Sequence, residues 1–255
     1  MYQPSLDLKI IDKNPLTHRS ADCNLFKHGT DNYSFIETKL VNDGYFVIEN
    51  VISLDQCRNL IRLFDSNSLY RRCIDMETHA YGRGKYKYFR YPLPTLVHKL
   101  RTDFYEMLAP HANKLQHEYR NDYKYPDKHS EFLKTCAKAG QNRPTPLLLK
   151  YLKNDYCCLH QDIYGEHKFP FQVIIMLNQP EVDFIGGEIV LVESSRKHPE
   201  RAHSIFLKQG DSLVLATNKK PHFVNRGATS NLKHGVSRVI TGTRHTLGLI
   251  FHDSV

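Results

Sequence analysis

The residues His160-Gln161-Asp162 have a spacing that suits a metal. On an extended segment successive side chains alternate between faces, so a histidine and an aspartate two positions apart point the same way. A second histidine from a distant strand would complete a face of two imidazoles and one carboxylate, leaving open positions for an oxidant and a substrate. A metal held in that way carries the reactivity, and the protein supplies the geometry.

The pair alone is a weak signal. With 15 histidines in 255 residues, roughly one His-x-acid match is expected by chance. His129-x-Glu131 and His198-x-Glu200 are two further matches, and context separates them. His129 lies in a polar stretch and His198 in a charged one, whereas His160 follows a strand-like run and opens a β-rich half. In the second half, His234 is followed ten residues on by a cation, Arg244, with a turn at Gly242 between them.

The elements that must position these groups fall into two textures. Residues 1–43 have mixed polarity without a clear period and read as an N-terminal arm. Residues 44–52 read as a strand. Ser53 with Gln56 three positions on, followed by Cys57, Leu60, Ile61 and Phe64, reads as a capping box opening an amphipathic helix. A second helix is expected over 96–119, with Val97, Leu100, Phe104, Met107, Leu108 and Leu115 on one side. Residues 81–94, rich in Gly, Pro and Tyr, read as loop or irregular strand, and 120–146 as a long surface connection. From 147 onward, short strand-like runs follow at 147–152, 171–177, 188–192, 212–216, 236–241 and 246–252, separated by turn-formers such as Gly186-Gly187, which read as a hairpin turn. Strands so spaced, with no helices between them, predict a closed or double-sheet β architecture such as a jelly roll. The expected plan is α+β, mainly β: one domain over 44–255, with helical support to about 146 and a β core carrying the site from about 147.

Composition limits the function classes. No apolar run approaches 18 residues, so no membrane-spanning helix is expected. The first seven residues lack the basic-then-apolar pattern of a secretory signal. The six cysteines show no CxxC and no framework spacing, which disfavours a zinc site or disulfide scaffold and fits thiols serving as small apolar residues in a reducing cytoplasm. The formal charge of +8 favours polyanionic partners.

Taken together, His160/Asp162, then Gly186-Gly187, then His234 with Arg244 ten residues on, resemble the C-terminal core of the prolyl-hydroxylase-like branch of the 2-oxoglutarate/Fe(II) dioxygenases. Three longer runs resemble a bacterial subgroup associated with oxidative repair of alkylated DNA. These are Tyr86-Lys87-Tyr88-Phe89-Arg90-Tyr91-Pro92-Leu93-Pro94, Cys158-Leu159-His160-Gln161-Asp162, and the run from Thr243-Arg244-His245-Thr246 to Asp253. The resemblance covers roughly 44–255.

The resemblance implies a double-stranded β-helix (cupin-like) core with buttressing N-terminal helices, and Fe(II), 2-oxoglutarate and O2 as cofactors, with ascorbate as a reductant. His160, Asp162 and His234 would be the catalytic metal ligands. Arg244 would bind the far carboxylate of 2-oxoglutarate through its planar fork, with Tyr151 and Thr246 assisting. His222 is the rival distal ligand, but ten residues after it stands Leu232, which holds no carboxylate. The implied reaction is hydroxylation of a C–H bond with release of succinate and CO2.

The sequence leaves the macromolecular substrate open between a nucleic acid, through oxidative dealkylation of a damaged base, and a protein, through prolyl-type hydroxylation. A non-catalytic cupin-like binding protein is the third reading, and the intact triad with Arg244 speaks against it. The cations Arg83, Lys85, Lys87 and Arg90 interleave with the rings Tyr81, Tyr86, Tyr88, Phe89 and Tyr91. That pattern suits a single-strand or flipped-base binder and gives Arg83, Lys85, Tyr86 and Tyr88 as substrate candidates. It equally suits a strand with aromatics inward and cations outward.

Overall fold

The computed structural model describes residues 31–163, 165–195, 199–221 and 229–255. Most of the 1–43 arm, with Cys23, His198 and His222, lies outside these. Among the described residues four α-helices occur: α1 (Asp31–Asn42), α2 (Leu54–Leu63), α3 (Thr95–Glu118) and α4 (His129–Lys138). Ser53 closes the capping box: its hydroxyl accepts from the Gln56 N–H at 3.2 Å, and the Gln56 side chain accepts from the Ser53 N–H at 2.8 Å. Cys57 and Leu60 are the buried stripe of α2, and Val97, Leu100, Phe104, Leu108 and Leu115 belong to that of α3.

Two antiparallel sheets form the body. The larger runs Tyr45–Ile48, Ser212–Ala216, Phe171–Met176, Arg244–Ile250, Leu147–Tyr151, Lys85–Phe89 and Tyr70–Asp75 in spatial order. The smaller runs Arg201–Ile205, Ile189–Ser194, Thr229–Val236, Tyr156–His160 and Gly82–Arg83, with Lys219–Pro221 joined to Thr229–Val236. The two sheets line opposite sides of one cavity, the double-stranded β-helix arrangement. On the larger sheet the period of two is kept. Leu147, Leu149 and Tyr151, and likewise Arg244, Thr246 and Gly248, face the cavity, while Leu148, Ile175 and Leu247 belong to the hydrophobic core. No helix among the described residues is long and apolar enough to cross a membrane.

Several expectations need correction. Residues 120–146 are not a plain surface connection, because they contain α4, which buries His129, Phe132 and Cys136. Three buried positions spaced over two turns are enough to dock a helix whose other residues are polar. Phe132 packs against Tyr105 at 5.3 Å between ring centroids, and the buried His129 ring hydrogen-bonds the Phe251 carbonyl at 2.8 Å. Residues 81–94, expected as loop or irregular strand, take the strand form at Gly82–Arg83 and Lys85–Phe89. The single strand expected over 236–241 is two strand ends in different sheets, broken at Ser237 and Arg238. Gly186-Gly187 is no hairpin turn. There the chain leaves Phe184–Gly186, which pairs with Val239–Gly242, and enters Ile189–Ser194 of the smaller sheet. Of the cysteines, Cys57 and Cys136 are buried as expected, but Cys73 and Cys158 are exposed.

Candidate functional site

His160 ends the strand Tyr156–His160, and Asp162 follows two residues on. His234 lies directly opposite His160, on the strand Thr229–Val236. Asp162 Oδ1 stands 3.7 Å from His160 Nε2, and its Oδ2 stands 3.5 Å from His234 Nε2. All three ligand atoms lie within 4.8 Å of one another. Cis ligands around an octahedral ion at bonds of about 2.1 Å are about 3 Å apart, so this set needs only a small closing movement. His160 Nδ1 is hydrogen-bonded to the Cys158 carbonyl at 2.9 Å, which leaves Nε2 to face Asp162. Gln161 anchors the turn by donating to the carbonyls of Asn218 and Leu232 at 3.0 and 2.7 Å.

The two imidazoles differ electrostatically. Full burial, reinforced by the neighbouring His160, holds His234 down to about 4. Burial works against a charge on His160 too, but the Cys157 thiol and the Asp162 carboxylate outweigh it and lift the ring to about 9. A metal entering here displaces a proton, as metal–imidazole bonding requires.

The same cavity, about 340 Å³, contains Tyr151, Arg244 and Thr246. Arg244 and Tyr151 are cross-strand partners, with the guanidinium 5.3 Å from the ring centre. The Arg244 guanidinium nitrogens and the Tyr151 hydroxyl are buried with no hydrogen-bond partner. Burial pulls Arg244 down to about 10, offset in part by Tyr151, and burial raises the Tyr151 phenol so that it stays a neutral donor. An unpartnered buried guanidinium is costly, and a ligand carboxylate is the group that its fork matches. Gly187 makes room for it, since a Cβ there would stand 2.9 Å from Arg244 Cδ. The residues present therefore fit both a divalent metal and a dicarboxylate.

The substrate candidates separate. Tyr86 and Tyr88 line the cavity. Lys85 lies on the opposite side of the larger sheet with Asp75, Lys87 and Lys150, and Arg83, at the end of a smaller-sheet strand, lines the same outer pocket and pairs with Asp155 at 3.3 Å. Alternation on one strand sends its rings and its cations to opposite faces. Sequence reasoning missed Gln172, whose Nε2 lies 3.0 Å from His234 Nε2. It also missed Met76 and Ile163 in the cavity wall. Gln172 had a legible signal, a lone polar residue in an apolar strand.

Residues 84–254 match the model of a family described as an oxygenase catalysing oxidative methylation of damaged DNA. Two uncharacterized proteins from different strains of Mycobacterium tuberculosis are 39% identical to this chain over 176 residues, spanning 69% of it and 76% of each relative. Among solved structures, a Pseudomonas putida prolyl-4-hydroxylase aligns over 87% of this chain and 98% of its own, with TM-score 0.52 and 12% identity. A Trichoplax adhaerens prolyl hydroxylase, solved with a hypoxia-inducible-factor peptide fragment, aligns over 88% and 90% with TM-score 0.52 and 13% identity. At such identities these two likenesses speak for the fold alone.

Proposed function

The chain belongs to the Oxygenase-NA family, whose model spans its residues 84–254, and from that premise we propose that it hydroxylates an alkyl carbon of a damaged nucleic-acid base. The observation that carries the reading is the buried, unpartnered Arg244 in the same cavity as His160, Asp162 and His234. Iron(II) and 2-oxoglutarate, when bound, supply the oxidising power, placing one atom of O2 in the C–H bond and the other in succinate, with loss of CO2.

The chain's own part is positional. His160, His234 and Asp162 would hold the metal at one end of the cavity. Arg244 would clamp the far carboxylate of the cosubstrate with two parallel hydrogen bonds, helped by the Tyr151 hydroxyl and by Thr246. Leu147, Leu149 and Val236 line the cavity and would keep water from the reacting carbon. A carbon hydroxylated next to a base nitrogen is lost as an aldehyde, which restores the base.

Two measurements test this. Anaerobic addition of Fe(II) and 2-oxoglutarate should give the weak visible charge-transfer band of the chelate, abolished in His234→Ala and weakened in Arg244→Ala. Its absence from folded wild type sinks the dioxygenase chemistry. With the band in hand, a single-stranded oligonucleotide carrying an N-methylated base should release formaldehyde in step with succinate. Hydroxylation of a proline-containing peptide instead keeps the reaction class and overturns the nucleic-acid substrate.

A further inference from the structure

We propose that Arg72 on the outermost strand, together with Tyr86 and Tyr88, forms a docking shelf on which a single nucleic-acid strand lies, with a backbone phosphate on the Arg72 guanidinium. The inference rests on the nucleic-acid reading above and names the group that would recognise the strand.

Two strands, Lys85–Phe89 and Tyr70–Asp75, carry the larger sheet outward beyond Leu147–Tyr151. Across them Arg72 is the direct partner of Tyr88, and Ile74 the direct partner of Tyr86. Directly opposed residues of an antiparallel pair share a face. Because Tyr86 and Tyr88 line the cavity, Arg72 lies on the cavity side at its outer edge.

The platform is rigid. Tyr86 and Tyr88 meet edge to face at 5.4 Å. Arg71 caps the Tyr88 ring at 4.7 Å and is itself tied to the Pro144 carbonyl at 2.8 Å and the Ser254 hydroxyl at 3.2 Å. Arg72 differs from the neighbouring Arg71, Arg83 and Lys87, each of which has a partner. Arg83 is paired with Asp155, and Lys87 donates to the Phe64 carbonyl and to Asn67 Oδ1 at 2.8 and 2.9 Å. Arg72 is exposed and has no ion pair among the described residues.

At the cavity, Tyr81 and Ile163 are exposed apolar surface. Rings and apolar rim suit unstacked bases, and a free planar guanidinium suits a phosphate. A base inside a duplex cannot reach such a cavity, so the occupant is a single or locally opened strand. A nucleic-acid strand brings a phosphate at every nucleotide, whereas a peptide meets Arg72 with a carboxylate only where an acidic residue falls there.

The test is fluorescence anisotropy of an end-labelled single-stranded oligonucleotide against the full chain over a salt series. Arg72→Glu should weaken binding about tenfold or more and lower the slope of log affinity against log salt by about 0.7, the share of one single-strand phosphate contact. Arg72→Lys should restore most of the binding. Lys138→Glu, the same charge change at an exposed position on α4, should leave affinity within about twofold. The cosubstrate band and thermal melting check that each variant is folded. If Arg72→Glu fails to fold, Arg72→Gln must show the reduced slope alone. Wild-type affinity and slope in folded Arg72→Glu overturns the shelf while leaving the nucleic-acid reading standing. An equal loss in Lys138→Glu overturns it as nonspecific charge, and a wild type that binds no oligonucleotide removes both readings.

Discussion

His160 and His234 face each other directly across one antiparallel strand pair, with ring centroids 4.3 Å apart and ring planes at 49°. Their spacing is set by backbone register, which shifts between His234 and Val236. Gly235 sits at that shift. A Cβ there would lie 2.6 Å from the Cys157 carbonyl oxygen and 3.2 Å from the Cys158 carbonyl carbon. Neither atom can rotate aside as a side chain does, so Gly235→Ala should push the two strands apart between the histidines. The expected result is a fall in Fe(II) affinity of about tenfold or more with every ligand still present, comparable to losing a supporting contact behind a ligand. Anaerobic metal titration reads it, and an unchanged Kd would show that the register does not set the site.

Arg244 allows a less usual expectation. A buried cation without a partner costs stability, and an apolar side chain of similar length does not. Arg244→Met should therefore lose 2-oxoglutarate affinity by about 100-fold, the scale of a charge-assisted bidentate pair, while the ligand-free protein melts no lower than wild type. Calorimetric titration and thermal scanning measure the two halves. A melting temperature several degrees below wild type would mean that the guanidinium is already satisfied without a ligand.

Gly187 constrains the same side chain from behind. Its φ is +67°, and a Cβ would meet Arg244 Cδ at 2.9 Å and Val239 Cγ2 at 3.0 Å. Gly187→Ala should cost about 1–3 kcal/mol through the left-handed backbone alone. It should also raise KM for 2-oxoglutarate by displacing Arg244, with Fe(II) affinity near normal. A variant that loses stability and keeps its KM would separate the strain from the guanidinium's position.

Much of this site could be read from the sequence because its parts are local patterns. His160-x-Asp162 needs only the alternation of a strand, and Ser53-x-x-Gln56 needs only a helix start. Arg72 could not be read that way, since its place at the cavity edge comes from pairing with Tyr88, and no local spacing encodes that register. The cations Arg83 and Lys85 were legible as a cluster with tyrosines but not as the lining of a second pocket outside the cavity. The helix α4 was obscured because only His129, Phe132 and Cys136 of its ten residues are buried, and the polar majority dominates the pattern. His234 was placed by its spacing to Arg244, although its own strand, Thr229–Val236, alternates too weakly in hydrophobicity to stand out.

The buried histidines outside the metal face determine how the fold responds to acid. Burial holds His111, His245 and His252 at about 4 and His129 at about 3, with Arg101 adding to the effect at His129 and His252 and Lys150 at His245. In the unfolded chain each returns to about 6.5. Above that pH both states are neutral and the stability is fully present. As pH falls from about 6.5 towards 4, the unfolded state binds protons that the folded state refuses. Each histidine then removes up to about 1.4 kcal/mol per pH unit. Urea unfolding followed between pH 7 and 4.5 should show a midpoint falling steeply, with a slope equivalent to more than one proton taken up. His129→Gln keeps an amide donor for the Phe251 carbonyl, which the ring contacts at 2.8 Å, and removes the titrating group, so about one proton should vanish from the slope. A midpoint flat across that window, or a slope unchanged in His129→Gln, would mean that these rings are charged in the folded protein and that their burial is not what limits stability in acid.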